Sequence, residues 1–381
     1  FYELNKVIKP KKIYNPSRIN SSGYDLNNVT ELDQINIKRE KFKEIKWILS
    51  SQLKSEPSGS IVSIVNPFNS NDIVGEVKTA TVSDVNKSIE NATLWTIPNE
   101  EKTIILNKIA DLYEKNFIEI FAILTREAGK TISDAISEIR EAVDFIRYYS
   151  FESSKLTDSK PLGKIVCISP WNFPLAIFTG QIIAALSVGN AVLAKPADYT
   201  PIIAIRAVEL MYKAGVPRTS LQLLIGDGPI LGDALVTNKF IDGICFTGST
   251  NIAKLINKNS ASEGNPYVSL VAETGGINAM IVDSTALPEQ AVKDILASSF
   301  QSAGQRCSAL RMLYLQEDIA HKFLEMLYGA MDELIVNDPW LANTDVGPII
   351  NINYSWIYYS SFCHKGNINV SSKSYYDRSC T

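Results

Sequence analysis

Residues 164–246 alternate short apolar runs with helical patterns, and this alternation restricts the fold more than any other feature of the chain. The predicted strands and helices follow one another at 165–168, 176–186, 191–194, 202–214, 221–225, 230–237 and 243–246. Strands that alternate with helices form a parallel sheet covered on both faces. Two later strand patterns, at 268–272 and 279–282, predict the start of a second α/β unit.

The part of the chain before residue 164 has a different character. A helical stretch is predicted near 32–53, and a linker or turn at 55–60. Short strands follow at 61–64 and 73–77. From Thr81 the period is helical, with a helix start at Ser83 and Asp84, and long helices such as 132–149 are expected to pack against a sheet.

Composition excludes several classes of function. The net charge of −4 offers no basic excess for nucleic acid or an anionic membrane surface. No apolar run reaches the roughly 18 to 20 residues of a membrane span, and polar residues interrupt the longest, 175–193: Thr179, Gln181, Ser187, Gly189 and Asn190. Five cysteines without regular spacing argue against a disulfide framework and favour a reducing, cytoplasmic setting.

The two histidines, His321 and His364, leave little room for metal or Ser-His-Asp chemistry. No C-x-x-C pair or histidine cluster indicates a metal site, so none is predicted. His321 follows a helical pattern and is expected at the surface.

Cys307 is the first candidate for chemistry. It lies beside Arg306 in the run 304–308, and a neighbouring cation favours the thiolate, which is the attacking species. Taken alone, a buried structural cysteine is the commoner explanation. That explanation is preferred for Cys167 and Cys245, because both lie inside apolar strands.

Two polar residues at predicted strand ends are the next candidates. Glu273 ends an apolar strand before two glycines, although a solvated turn carboxylate is an equal alternative. Asn172 lies between two prolines after another strand. Its amide can donate to a developing oxyanion, or it can simply stabilise the turn.

Three further stretches suit a nucleotide. Residues 226–232 resemble a dinucleotide fingerprint with one residue too many before the last glycine, which is a weak signal. In 246–250, backbone N–H groups and the Ser249 hydroxyl at a helix start can hold a pyrophosphate. Lys195 and Asp198 close a strand and can contact ribose hydroxyls.

In this order and spacing, the runs P-W-N-F-P, K-P-A-D, F-T-G-S-T, E-T-G-G and G-Q-R-C-S resemble the aldehyde dehydrogenase superfamily. Within it, the runs R-E-A-G-K-T, R-E-A-V-D-F, A-E-T-G-G-I-N-A-M and S-A-G-Q-R-C-S-A-L-R are similar to the PutA branch of bifunctional proline-utilisation enzymes. The opening segment 14–26 resembles the connector of that branch. The resemblance covers about residues 10–350 and implies an aldehyde dehydrogenase-like α/β fold, with a Rossmann-type sheet domain and a truncated α/β catalytic domain.

The resemblance also implies a mechanism and a cofactor. Cys307 attacks the aldehyde, the Asn172 amide and the Cys307 N–H hold the oxyanion, hydride passes to NAD, and Glu273 activates water against the thioester. The residues implied at the cofactor are Ser169, Trp171, Lys195, Asp198, Gly228, Thr247, Gly248 and Ser249. Asp198 favours NAD over NADP, because its charge repels a 2′-phosphate.

For the PutA branch, the implied substrate is L-glutamate γ-semialdehyde, the open form of 1-pyrroline-5-carboxylate, and the product is glutamate. Ser308 then donates to the substrate carboxylate and Glu141 pairs with its ammonium, although both are equally well explained as ordinary polar surface residues. Two other functions stay open: a generic aldehyde dehydrogenase with another substrate, and a non-catalytic remnant that only binds nucleotide.

The expected division of the chain is a connector arm at 1–57, an NAD-binding domain at 58–271, a truncated catalytic domain at 272–350 and an aberrant or disordered tail at 351–381. The tail lacks the amphipathic pattern that would bury a face. The family's later E-[IV]-F-G-P motif has no counterpart after Ile350. The family is oligomeric, but the C-terminal strand through which it oligomerises also has no counterpart there.

From these departures we expect weak or no dehydrogenase turnover from this polypeptide alone, although its candidate Cys, Glu and Asn are present. The measurement is NADH formation by the purified chain with 1-pyrroline-5-carboxylate and NAD. A steady yield of NADH would contradict the expectation.

Overall fold

A computed structural model describes residues 8, 10–48, 57–156 and 159–351. Apart from Asn351, the predicted tail lies outside the described residues, as does His364. Across the described ranges, no helix combines the length and the apolar character that crossing a membrane would need.

The strands build three sheets. A five-stranded, wholly parallel sheet has the order β6-β5-β4-β7-β8, a smaller sheet has the order β1-β3-β2, and β9 pairs in parallel with β10. The bounds are β1 Trp47–Ile48, β2 Ile61–Val65, β3 Ile73–Lys78, β4 Lys164–Ile168, β5 Ala191–Lys195, β6 Leu221–Leu223, β7 Gly243–Gly248, β8 Ser269–Thr274, β9 Asn278–Val282 and β10 Leu310–Leu315.

Helices surround these sheets. Their bounds are α1 Val29–Glu40, α2 Val82–Asn91, α3 Asn99–Lys115, α4 Phe117–Ala128, α5 Ile132–Ser154, α6 Ala176–Ser187, α7 Pro201–Ala214, α8 Gly228–Val236, α9 Thr250–Ser262, α10 Pro288–Phe300 and α11 Glu317–Asp332. The strand and helix alternation predicted between 164 and 246 is confirmed as β4 to β7 with α6, α7 and α8 between them.

The five-stranded sheet is buried on both faces. Successive residues of β4 point to opposite sides, so Ile165 and Cys167 join the core built with α3 to α7, whereas Val166 joins the core built with α2, α8 and α9. Cys167 is buried as predicted, and Cys245, its partner in register on β7, is half-buried. The chain is therefore an α/β protein with a doubly covered parallel sheet.

Three local predictions are wrong. The helix predicted near 32–53 ends at Glu40, and Trp47–Ile48 pairs as a strand with β3, because burial of the Trp47 ring outweighs local helical preference. Residues 49–56 lie outside the described part of the chain. The strand predicted at 268–272 does not start a second unit, because β8 pairs with β7 in the main sheet.

The third error concerns α5. It packs mainly against α3 and α6, and α6 in turn contacts β4 and β5, so a helix and not a strand lies beneath the long charged helix.

The predicted second α/β unit is present but begins later than expected. It consists of β9, α10, β10 and α11, which share a separate apolar core that includes Val282, Ile295 and Phe323.

The amino-terminal segment is fixed to this body by polar contacts. Ser21 donates to Asp144 through its N–H at 2.7 Å and its hydroxyl at 2.8 Å. The buried Arg147 guanidinium donates to the Asn20 carbonyl at 2.8 Å. Further along, Arg39 donates to the carbonyl of Trp340 and faces its ring, so the beginning and the end of the described chain meet.

Asp84 fixes the start of α2 to the residues before β2. Its carboxylate accepts from the N–H and hydroxyl of Ser58, at 2.9 and 2.8 Å, and from the N–H and hydroxyl of Thr81, at 2.9 and 3.0 Å. Burial alone would raise the pKa of Asp84, yet these four donors lower it to about 2. Thr81 is the N-cap, so the helix begins at Val82, one residue before the predicted start at Ser83.

Asp84→Asn is expected to reduce the free energy of unfolding at pH 7 by about 2 kcal/mol, because a depressed folded pKa stabilises the ionised native state. That contribution is present above pH 4 and disappears as the pH falls towards 2, so the difference between parent and variant should shrink over this range. Urea unfolding at several pH values measures it. Glu90→Gln on the exposed side of α2 is the control, and a difference independent of pH would contradict the assignment.

Candidate active site

Four strands of the main sheet end together and place four of the predicted residues on one edge. Ile168, just before Ser169, is in register with Lys195 on β5 and with Phe246 on β7. Thr247 is in register with Glu273 on β8. The chain runs outward from β4 through β5 to β6 and then returns to β7 and β8. This edge therefore contains the switch point at which open α/β sheets bind ligands.

Cys307 follows an unusual turn. Ser302 and Ala303 both have φ of 54°, and Gly304 follows with φ of 67°, so three consecutive residues adopt the left-handed conformation. Each non-glycine residue there costs about 1–2 kcal/mol. The Cys307 side chain is exposed, and its carbonyl accepts from Asn278 Nδ2 at 2.7 Å.

The Arg306 guanidinium is hydrogen-bonded to the end of α10, and its effect on the Cys307 thiol stays a prediction. Its guanidinium donates to the Gln301 side chain at 2.9 Å and to the carbonyls of Ala297 and Ser298, at 3.1 and 3.4 Å, at the carboxyl end of α10. Its hydrogen bonds therefore anchor the turn of residues 301–304 to that helix.

Asn172 and the cysteine loop are in direct contact. Asn172 Nδ2 donates to the carbonyl of Gln305 at 2.8 Å, across 133 positions of sequence. Gln305 is itself fixed by its side chain, which accepts from the Ile350 N–H at 2.9 Å and donates to the Pro348 carbonyl at 3.3 Å. The amide predicted as an oxyanion donor therefore lies beside the loop that carries the candidate nucleophile.

Glu273 reaches the same region by a short connection. It is exposed near the end of β8, and Gly275, Gly276 and Ile277 link that strand to Asn278, whose side chain donates to the Cys307 carbonyl. Asn278 also bonds the carbonyl of Ala309 at 3.0 Å. Asn172 and Asn278 thus both bond the segment that carries Cys307, and Glu273 lies on the strand that precedes Asn278 in the chain.

The residues predicted for a nucleotide form a second group on this edge. Lys195 Nζ and Asp198 form an ion pair at 2.6 Å, and the other Asp198 oxygen accepts from the Gly228 N–H at 3.0 Å. Ser249 caps α9 by accepting from the Ile252 N–H at 3.3 Å. A Cβ on Gly248 would lie 2.6 Å from the Phe246 ring, so this position needs glycine.

Gln181 joins this group, although the sequence analysis assigned it no role. Its side-chain nitrogen donates to the Thr247 hydroxyl at 3.0 Å, which orients that residue from α6. The sequence signal was present, because Gln181 interrupts the most apolar stretch of the chain. A polar residue inside a buried helix needs a partner there.

Two side-chain oxygens near this edge are buried without a hydrogen-bond partner among the described residues: the Ser169 hydroxyl and Gln181 Oε1. Buried polar atoms are almost always paired. Unsatisfied atoms near this edge of the sheet fit a site that receives a polar ligand such as a dinucleotide.

The remaining predicted residues lie at the margin of the site. Ser308 is exposed directly after Cys307, and half-buried Trp171 lines a small cleft with Asn172. Glu141 lies on α5, where burial and then the charge of Glu138 raise its pKa. His321 is exposed on α11, as predicted.

Three residues of the α4–α5 region were not identified from the sequence as part of the site: Lys130, Asp134 and Glu138. Lys130 and Glu138 form a buried ion pair at 3.6 Å, and Asp134 bonds the Ser302 N–H at 3.2 Å. In the sequence they read as ordinary charges at a helix start, and only tertiary packing shows that they are buried.

The profile of the aldehyde dehydrogenase family matches residues 54–355, and the chain belongs to this family. It is 47% identical over 358 residues to the bifunctional protein PutA of Klebsiella aerogenes, covering 91% of this chain and 27% of that protein. The chain thus spans about a quarter of the length of this relative.

Two further comparisons involve shorter proteins. The chain is 32% identical to an alpha-ketoglutaric semialdehyde dehydrogenase of Bacillus subtilis, over 81% of this chain and 67% of that protein. The crystal structure of a 1-pyrroline-5-carboxylate dehydrogenase from Thermus with bound NAD superposes with a TM-score of 0.83 at 27% identity, covering 90% of this chain and 71% of the other.

The left-handed turn before Cys307 provides a test of the geometry. Ala303→Gly should raise the free energy of unfolding by about 0.5–1 kcal/mol, because relief of the left-handed strain exceeds the added entropy of the unfolded chain. The matched control, Ala297→Gly in exposed α10, should lower it by about 1 kcal/mol. Denaturant unfolding of both variants measures the difference, and a loss of stability in both would contradict the assigned turn.

Proposed function

We propose that this chain carries the NAD-dependent oxidation of L-glutamate γ-semialdehyde to L-glutamate, with Cys307 as nucleophile. The observation that carries the proposal is the 2.8 Å hydrogen bond from Asn172 to Gln305, which places an amide donor beside the loop of an exposed cysteine. Family membership supports the reaction class, and the names of the PutA and 1-pyrroline-5-carboxylate dehydrogenase relatives support the substrate.

The chemistry assigns one task to each group. The Cys307 thiolate adds to the aldehyde carbon, and the Asn172 amide with the Cys307 N–H holds the resulting oxyanion. The thiohemiacetal then loses hydride and becomes a thioester. Bound NAD supplies the hydride acceptor. Glu273 takes a proton from water, which attacks the thioester and releases glutamate and the thiolate.

The residues that would hold NAD are those grouped at the carboxyl edge. Lys195 and Asp198 would contact the ribose, Gly228 and Gly248 would allow close approach of the backbone, and the helix start at Ser249 would suit the pyrophosphate. Ser169, Trp171 and Thr247 complete the proposed set. The unpartnered Ser169 hydroxyl supports this assignment, and the Asp198 charge favours NAD over NADP.

For the substrate, Ser308 would donate to the carboxylate and Glu141 would pair with the ammonium group. Ser308 is exposed directly after the nucleophile, where its hydroxyl can reach a bound amino acid. We also propose residues 1–57 as a connector arm, 58–271 as the NAD-binding domain and 272–350 as a part of the catalytic domain, with the boundary between the last two moved to the end of β8 at Thr274 because that strand pairs with β7. The described cysteines are free, which suits a cytoplasmic setting.

The proposal is tested by trapping the acyl-enzyme. The chain is mixed with NAD and 1-pyrroline-5-carboxylate, quenched rapidly in acid, and analysed by intact-mass and peptide mass spectrometry. A glutamyl adduct is expected on Cys307 and should be absent in Cys307→Ser. Glu273→Gln should keep acylation and accumulate at least about 10-fold more adduct, because general-base catalysis contributes 10²–10⁴-fold to hydrolysis.

Alpha-ketoglutaric semialdehyde serves as the comparison substrate in the same assay. Faster acylation by that compound would assign the chain to the substrate of the Bacillus relative. NAD binding without any adduct on Cys307, for either aldehyde, would support a non-catalytic nucleotide-binding remnant instead.

A further inference from the structure

We propose that Lys130 is a positioning residue for this reaction, and that with Glu138 and Asp134 it holds the oxyanion donor and the nucleophile loop in one arrangement. The inference rests on the proposed function, because it gives these residues a task in the same site. It concerns the run R-E-A-G-K-T, to which the reaction described above assigns no role.

Lys130 joins the two loops directly. Its ammonium donates to the Asn172 carbonyl at 2.6 Å and to the Ser302 hydroxyl at 3.2 Å. Only 5% of its side chain is exposed, so these contacts are protected from competing water. One cation therefore bonds the residue that supplies the oxyanion amide and the turn that precedes the cysteine.

Glu138 bonds the other end of the segment 172–176, which begins with Asn172. One of its oxygens accepts from the N–H groups of Leu175 and Ala176, both at 2.9 Å, at the start of α6. Its other oxygen has no hydrogen-bond partner among the described residues and lies 3.6 Å from Lys130 Nζ. The ion pair thus holds residues 172–176 at both ends, and each charge compensates the other.

Asp134 makes a second hydrogen bond, besides that of Lys130, to the turn of residues 301–304 that precedes Cys307. It lies one helical turn before Glu138 on the same face of α5, and its carboxylate accepts from the N–H of Ser302 at 3.2 Å. Ser302 is one of the residues in the left-handed conformation. Such a conformation persists only where its surroundings determine it, and here both its N–H and its hydroxyl are bonded from the α4–α5 region.

These contacts indicate that Lys130 positions the two loops, because its ammonium donates to a main-chain carbonyl and a serine hydroxyl within them. A buried ion pair adds little to stability when its desolvation is counted, and a neutral replacement of both partners is often tolerated. The reaction rate is more sensitive than stability to the loss of this pair, because a displacement of about 1 Å at a reacting centre can cost about 100-fold in rate. Loss of the pair should therefore reduce acylation more than it reduces folding.

The test uses the full chain and the double variant Lys130→Met with Glu138→Gln, which removes both charges of the buried ion pair together. The control is Lys155→Met, which removes an exposed ion pair at the end of α5. Three kinds of measurement are made. The first is the rate of Cys307 acylation at saturating aldehyde, and the second is binding, as the apparent KM for the aldehyde and the affinity for NAD. The third is hydrogen exchange of the peptides that contain 172–176 and 301–307.

In the double variant, acylation should slow by about 10- to 100-fold, while KM and NAD affinity stay within about threefold. Exchange should rise in the two peptides and stay unchanged in the α3 and α6 core. Lys130→Ala should recover part of the acylation rate when ethylammonium is added, because a free cation can occupy the vacated position. The control should match the parent in all three measurements.

Unchanged acylation and unchanged exchange would overturn the inference, and so would a uniform rise in exchange throughout the core, which indicates a purely structural ion pair. If the parent chain forms no adduct, the proposed function fails. Exchange in the two peptides then decides separately whether Lys130 fixes the two loops.

Discussion

The structure depends on the burial of both faces of one parallel sheet. Parallel strands require a long return connection, and the helices that provide it cover the apolar residues on each side. As a result, β4, β5, β7 and β8 all end on the same edge. Polar residues at those strand ends therefore lie close to one another. The position of the candidate site thus follows from the packing of the helices on the apolar faces of the sheet.

Much of this arrangement could be read from the sequence, and the exceptions have physical causes. Short runs such as those of β4 and β7 are unambiguous, because every residue in them apart from Lys164 is apolar or small. The segment after Glu40 was misassigned because Trp47 gains more by packing into the small sheet than by extending a helix. The membership of β8 could not be read locally, since it depends on a register with β7 some 26 positions earlier.

The candidate site was partly predictable for similar reasons. Glu273 and Asn172 stand out because each is a polar group near glycine or proline after an apolar run, and Cys307 stands out because it lies beside Arg306 just beyond a glycine. Lys130 and Glu138 did not, because charged residues near a helix start are usually solvated and nothing local shows that these two are buried. Burial converts such ordinary charges into fixed donors and acceptors, and it is a property of the whole fold.

The meeting of Arg39 with Trp340 has a consequence for the order in which the chain acquires its shape. Arg39 and Trp340 are separated by 301 residues, so the partner of Arg39 is synthesised long after the helix that contains it. Closing so long a loop is entropically unfavourable until the intervening core has brought its ends together. This contact of α1 therefore forms late, and until then the guanidinium of Arg39 must stay solvated.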